Sequence, residues 1–257
     1  MTQNPSRSQL WIRTFHPAPG AATRLVCLPH AGGSASFYFP ASRALSPAIE
    51  VLAVQYPGRQ DRRIERCLET ITELADAITE ELLPLTDKSL ALFGHSMGAT
   101  IAFEVAQRLE DHGIKLSAIF LSGRRAPSID RPENLHLLDD RALLEALKEI
   151  GGTDAAILED EELMRMSIGA IRGDYKAISS YRWQRRPPLR TPIHVHVGDT
   201  DPQVSRTEAQ AWAQHTTGEF SLSTYSGGHF YINEHAPRLL GAISGRLADS
   251  VEGGPAL

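Results

Sequence analysis

The run Leu90-Ala91-Leu92-Phe93-Gly94-His95-Ser96-Met97-Gly98-Ala99 joins a short apolar stretch to a helical pattern through Gly-x-Ser-x-Gly, the arrangement of a nucleophile elbow. A serine on so sharp a strand-to-helix turn holds its hydroxyl clear of the backbone, and only very small side chains fit beside it, hence Gly94 and Gly98. The flanks agree. Ser89–Phe93 reads as a buried strand, and Ala99, Ile101, Ala102, Val105, Ala106 and Leu109 recur at helical spacing before Gly113, which suits a helix C-cap. Ser96 is therefore the candidate nucleophile.

A serine hydroxyl is a poor nucleophile near neutral pH and needs a base together with a group that orients the base. Both stand downstream. Pro192–Val197 reads as a strand running into Gly198-Asp199-Thr200-Asp201-Pro202, and Phe220–Tyr225 as a strand followed by Ser226-Gly227-Gly228-His229-Phe230. The order Ser, Asp, His, each just after a strand, is that of α/β-hydrolases and differs from the chymotrypsin and subtilisin orders. His229 is the expected base. Asp199 and Asp201 compete for the orienting role; Asp201 is preferred because the hydrolase pattern places the acid three residues after the glycine, here Gly198, and Asp199 is the alternative.

The charge that develops on a carbonyl oxygen under attack calls for two backbone N–H donors. Met97 N–H, directly after the nucleophile, is one candidate. The other is Ala31 N–H, because Arg24–Leu28 reads as an early strand and the Pro29-His30-Ala31-Gly32-Gly33 loop after it is similar to the His-Gly-Gly-Gly loops of esterases. His194 and His196 would share one strand face like a metal pair, yet no third ligand stands at usable spacing, so they read as core or edge histidines and no metal site is expected.

Pro29-His30-Ala31-Gly32-Gly33-Ser34-Ala35, Gln55-Tyr56-Pro57-Gly58-Arg59-Gln60-Asp61-Arg62, Gly94-His95-Ser96-Met97-Gly98 and Gly227-Gly228-His229-Phe230 together resemble the type II (external, editing) thioesterases of polyketide and nonribosomal peptide assembly lines. The resemblance runs from about Trp11 to the last helix, with Tyr-Pro-Gly-Arg its most discriminating part beside the elbow. It implies a stand-alone hydrolase that removes stalled or wrongly loaded acyl groups from the phosphopantetheine arm of acyl or peptidyl carrier proteins, without a cofactor. A chain-releasing acyltransferase or cyclase, and a carrier-binding module without activity, are the alternatives.

The remaining sequence frames this site. The 257 residues, 42% hydrophobic and 22% charged, fit one α/β domain with a sizeable core, and a formal charge of −5 argues against general nucleic-acid binding. Residues 1–8 are polar without an apolar leader segment and no run reaches membrane-span length, so a cytoplasmic monomer is expected. Cys27, within a strand, and Cys67, in a charged segment, offer neither a disulfide framework nor a thiol-histidine motif.

Strands at Arg24–Leu28, Ile49–Val54, Ser89–Phe93, Ser117–Ser122, Pro192–Val197 and Phe220–Tyr225 alternate with helices at Ile71–Leu83, Ala99–Asp111, Ser205–His215 and about Asn233–Leu247. Such alternation predicts a mostly parallel, doubly wound sheet of the α/β-hydrolase kind. The stretch 124–190 far exceeds one crossover helix and is expected to be a helical lid. It holds amphipathic segments Asp139–Ile150 and Asp160–Ser180 with Gly151-Gly152 as a hinge. Leu143, Leu144, Leu147, Ile150, Leu163, Met166, Ile168 and Ile171 either face the active-site mouth or form the lid's own core. The ends 1–8 and 252–257 are expected to be loose. Two basic clusters, Arg59-Gln60-Asp61-Arg62-Arg63 and Arg182-Trp183-Gln184-Arg185-Arg186, are candidate docking faces for an acidic carrier.

Overall fold

A computed structural model describes residues 10–151 and 161–252. Seven strands form one sheet: β1 (Ile12–Arg13), β2 (Thr23–Leu28), β3 (Ile49–Val54), β4 (Ser89–His95), β5 (Leu116–Ser122), β6 (Ile193–Gly198) and β7 (Phe220–Tyr225). Their order is β1-β3-β2-β4-β5-β6-β7, parallel except for β1, which pairs antiparallel with β3. The helices are α1 (Phe39–Leu45), α2 (Ile71–Leu82), α3 (Met97–Asp111), α4 (Asp140–Ile150), α5 (Glu161–Ser180), α6 (Arg206–Gln210), α7 (Tyr231–Glu234) and α8 (Ala236–Glu252). The six predicted strands are present with ends shifted by at most two residues, and the mostly parallel sheet covered on both faces is the predicted fold class.

Strands covered on both faces are rich in apolar side chains, and Ile49–Val54 is buried throughout, its one charged member, Glu50, paired with Arg24. On one face Val26, Leu92 and Ile119 pack with Ile78 of α2 and with Ile101 and Phe103 of α3. On the other, Leu25, Val51, Phe93 and Phe120 pack with Leu45 of α1 and Leu239 and Ile243 of α8. The side chain of Thr70 caps α2 by accepting the Glu73 N–H, and Ser205 with Glu208 forms a capping box at the start of α6.

Several details differ from the sequence reading. β1 and α1 were not expected, being short and, in α1, opened by Pro40. The helix expected over Ser205–His215 divides into α6 and a 3-10 turn, Ala211–His215, and the last expected helix into α7 and α8. α8 reaches Glu252, one residue into the tail expected to be loose. The rest of that tail, residues 1–8, Gly152 and the side chains of Leu163 and Met166 lie outside the described residues.

Within 124–190, Leu143, Leu147 and Ile171 form a small core of their own with Leu144, Ile168 and Tyr175 against it. α4 and α5 thus pack on each other. Ile171 also seats on the Pro29–Gly33 loop, where a Cβ on Gly32 would come within 2.8 Å of its Cγ1.

His194 and His196 are buried on β6, where their Nδ1 atoms meet Ser221 Oγ at 2.7 Å and Tyr225 OH at 3.1 Å. Their environment is that of core histidines. Burial pushes His194 down to about 4 and His196 to about 3, and it lowers His215, on the 3-10 turn, to about 4. Because these folded-state values lie below the ordinary 6.5, the unfolded chain binds more protons as the pH falls. Their contribution to stability is therefore complete above about pH 6.5 and is lost on acidification toward pH 4, by up to about 1.4 kcal/mol per group per pH unit. Urea midpoints should drop between pH 7 and pH 5, and the drop should be shallower in a His194→Gln/His196→Gln variant. Equal slopes for the two proteins would remove this account.

Candidate active site

Ser96 sits between β4 and α3 with φ 55° and ψ −117°. A side chain held there stores about 1–3 kcal/mol of backbone strain, sustained by its surroundings. Those surroundings are tight. A Cβ on Gly94 would lie 2.1 Å from Gly98 O, and one on Gly98 would lie 2.0 Å from Leu28 O and 2.7 Å from Pro29 O. The first turn of α3 is thereby pressed against the end of β2. That contact sets Met97 beside the Pro29–Gly33 loop that carries Ala31, and neither the Met97 nor the Ala31 N–H meets an acceptor among the described residues.

Ser96 N–H donates to Ser122 O at 2.8 Å, at the end of β5. The next residue, Gly123, lies against two imidazoles: a Cβ there would be 2.7 Å from His95 Cε1 and 3.2 Å from His229 Cε1. The loop after β7 thus delivers His229 to the side of the elbow. Its Nδ1 meets Asp201 Oδ2 at 2.8 Å and Oδ1 at 3.0 Å, with the Asp201 side chain fully buried. Asp201 Oδ1 also accepts the Gln203 N–H at 2.7 Å, which fixes the carboxylate. Asp199 is exposed and does different work, accepting the Gly227 N–H at 2.9 Å to tie the two loops together. The structure brings Ser96, Asp201, His229, Ala31 and Met97 to one end of the sheet and leaves Asp199, bonded to the Gly227 N–H, away from His229.

Two buried histidines lie near His229. His95, in the elbow itself, bonds through Nδ1 to Ser122 Oγ at 2.9 Å, which in turn meets Tyr231 OH at 2.7 Å. His30 lies edge-on to Phe37 and Phe230. Burial, then the neighbouring His229, drives His95 well below its ordinary value and His30 down to about 3. Both are therefore neutral and add no cation beside His229. Burial also raises the Cys27 thiol, which leaves it without thiolate character as a nucleophile.

The first basic cluster is not an open face. Arg59 is buried in a two-point ion pair with Asp174 of α5, and Arg62 is buried against Glu65 and the Trp11 ring, leaving Arg63 exposed. Breaking a buried pair such as Arg59–Asp174 by removing one member costs about 3–5 kcal/mol. Sequence reasoning missed Asp174, although a signal was present: it is an acid set among Ile171, Tyr175 and Ile178, on the apolar stripe of an amphipathic helix. In the second cluster Arg182, Arg185 and Arg186 are exposed, with Arg186 paired to Asp111. Beside it a cavity of about 220 Å³ is lined by Arg124, Arg125, Arg131, Arg182 and Trp183.

A parallel sheet of this order, a strained serine between β4 and α3, and an acid and a histidine after β6 and β7 define an α/β-hydrolase. The model of the thioesterase domain family matches residues 23–247, and the chain belongs to that family. It is 48% identical to thioesterase PikA5 of Streptomyces venezuelae, over 96% of this chain and 89% of that one. It is 33% identical to the gramicidin S biosynthesis protein GrsT of Aneurinibacillus migulanus, over 89% and 90%. Among solved structures it matches the type II thioesterase BorB from the borrelidin biosynthetic cluster with 51% identity and a TM-score of 0.89, covering 95% of this chain and all of that one.

The two acids are separable by mutation. Asp201→Asn should lower thioester turnover by about 10²-fold or more, since the imidazole loses its orienting carboxylate, whereas Asp199→Asn should change it by less than about 10-fold. Steady-state rates on a soluble acyl thioester check the ranking; the reverse order would transfer the orienting role to Asp199.

Proposed function

We propose that this thioesterase hydrolyses stalled or misprimed acyl groups from the phosphopantetheine arm of acyl or peptidyl carrier proteins, acting as a cytoplasmic monomer without metal or organic cofactor. The observation that carries the reading is the buried Asp201 carboxylate gripping His229 Nδ1 at 2.8 and 3.0 Å beside the strained Ser96. It fixes the tautomer that leaves Nε2 free to act as a base.

Ser96 Oγ attacks the thioester carbonyl while His229 takes its proton, and Asp201 stabilises the imidazolium that results. The Ala31 and Met97 N–H groups receive the negative charge on the former carbonyl oxygen. Collapse breaks the C–S bond, and His229 returns the proton to the departing thiol. Water, deprotonated by His229, then attacks the acyl-serine, releasing the free acid and restoring the Ser96 hydroxyl.

Helices α4 and α5 are the lid of this reading, supported by the packing of Ile171 on the loop that holds Ala31. The exposed Arg182, Arg185 and Arg186 are its carrier-docking face. The adjacent cavity supports that assignment, because the buried Arg125 Nη1 and Trp183 Nε1 meet no acceptor among the described residues and suit an oxyanion such as the arm's phosphate.

Ser96→Ala should lower hydrolysis by about 10³-fold or more while the fold persists, measured as free acid released from an acyl carrier protein. Comparable turnover would sink the mechanism, and an ester or amide in place of the acid would move the assignment to acyl transfer. Arg185→Glu with Arg186→Glu should raise the KM for the carrier-bound substrate and leave a small acyl thioester nearly unaffected, with the carrier's advantage shrinking as salt rises. Equal losses on both substrates would exclude a docking role.

A further inference from the structure

Arg59 and Asp174 stand 115 residues apart in sequence and meet at two points, Nη1–Oδ2 at 2.7 Å and Nη2–Oδ1 at 2.8 Å, with Asp174 fully buried and Arg59 8% exposed. The pair does more than join α5 to the core. Asp174 Oδ2 also accepts the Gly32 N–H at 2.7 Å, and Arg59 Nη1 also donates to Gly33 O at 3.1 Å. Beneath, the guanidinium lies 5.1 Å from the centre of the Tyr56 ring, whose hydroxyl donates to Pro29 O at 3.1 Å. Three of these contacts, to the Gly32 N–H, Gly33 O and Pro29 O, grip the loop that carries Ala31.

That loop is a tight turn. Gly33 N–H donates to His30 O at 2.9 Å, and Gly32 has φ +75°, which marks a type II turn with Ala31 and Gly32 at its centre. The central peptide of such a turn can rotate with little movement of its ends, giving a type I turn. Rotation would aim the Ala31 carbonyl, in place of the Gly32 N–H, at the Asp174 carboxylate. Two oxygens would then face each other where a charge-assisted hydrogen bond now stands, so the carboxylate selects one turn.

We propose that Asp174, held in place by Arg59, is a positioning residue for thioester hydrolysis, a carboxylate on α5 that anchors the His30–Gly33 turn through the Gly32 N–H and so fixes the place of the adjoining His30–Ala31 peptide, whose N–H is offered to the oxyanion. The inference rests on the reading above, in which Ala31 is an oxyanion donor. Preorganisation is what gives such donors their strength, because a group fixed before the charge develops pays nothing to turn toward it. Arg59 has a second effect. A bare carboxylate near a developing oxyanion would oppose it, and the guanidinium cancels that charge while leaving Oδ2 able to accept from Gly32. The arrangement also ties the oxyanion hole to the seating of α5, since Asp174 and Ile171 leave Gly32 together if the helix withdraws.

The test uses the full chain carrying Asp174→Asn and, separately, Arg59→Lys. It measures kcat and KM on a small acyl thioester, together with inhibition by a trifluoromethyl ketone, which forms an oxyanion on Ser96, and by a thioether substrate analogue, which does not. Asp174→Asn should lower kcat by about 10²-fold, the effect of one oxyanion donor, and weaken the ketone in parallel. KM and thioether inhibition should stay within about 3-fold. Arg59→Lys, which keeps the charge but not the two-point grip, should fall between wild type and Asp174→Asn. An unchanged ketone affinity, an equal weakening of both inhibitors, or a kcat within about 3-fold of wild type would overturn the proposal. If Asp174→Asn does not fold, Arg59→Lys decides by the same comparison. Ser96→Ala separates the two levels: retained turnover there removes the underlying reading, whereas its loss beside an unaffected Asp174→Asn removes only this inference.

Discussion

The near-contact of Gly98 with Leu28 O is the constraint on which the site depends. A strand and a helix can approach so closely only if the helix lacks a side chain at the crossing point, and the left-handed backbone of Ser96 is the local consequence of turning the chain inside that space. The same contact sets the start of α3 against the start of the Pro29–Gly33 loop. One crowded crossing therefore orients Ser96 and brings together the Ala31 and Met97 N–H groups, which meet no acceptor among the described residues, from segments far apart in sequence. The strain at Ser96 is sustained by the close packing of Gly94 and Gly98 against each other and against Leu28.

Charge around His229 is arranged by omission as much as by placement. Among the described residues His229 bonds one carboxylate, Asp201, and its nearest ring neighbours are His95, which burial keeps neutral, and Phe230. A cation beside His229 would oppose the imidazolium, and a second anion would hold its proton too firmly. Asp199, two residues from Asp201, is spent on the Gly227 N–H and stays outside. Arg59, which donates to Gly33 O in the loop that carries Ala31, is neutralised by Asp174.

Much of this was legible in the sequence because it is local. The elbow, the strands of the parallel sheet and the contact of Asp201 rather than Asp199 with His229 follow from spacing within a few residues, and local spacing reflects strand and turn geometry directly. β1 was not legible, since a two-residue strand has no periodicity to read. Arg59 was legible as a motif but not as a buried group: its neighbours Gln60, Asp61 and Arg63 suggest a solvated run, and only a partner 115 residues away takes its charge out of water. Asp174 was missed for the complementary reason. Periodicity assigns an acid on a helix to the solvent side by default, and the pairing that overrides this is a property of the tertiary fold.

The parts of the site are dispersed along the chain. The elbow is complete at residue 98, yet Asp174 reaches back 142 residues to Gly32, and Tyr231 reaches back 109 to Ser122. Loops of such length must be closed before their contacts return any stability, which makes them late events in folding. On a ribosome, which extends the chain from its N-terminus, Ser96 emerges well before residue 201 or 229 exists. On the proposed roles, a nascent chain thus holds the elbow serine before the histidine and the acid that would activate it have been made.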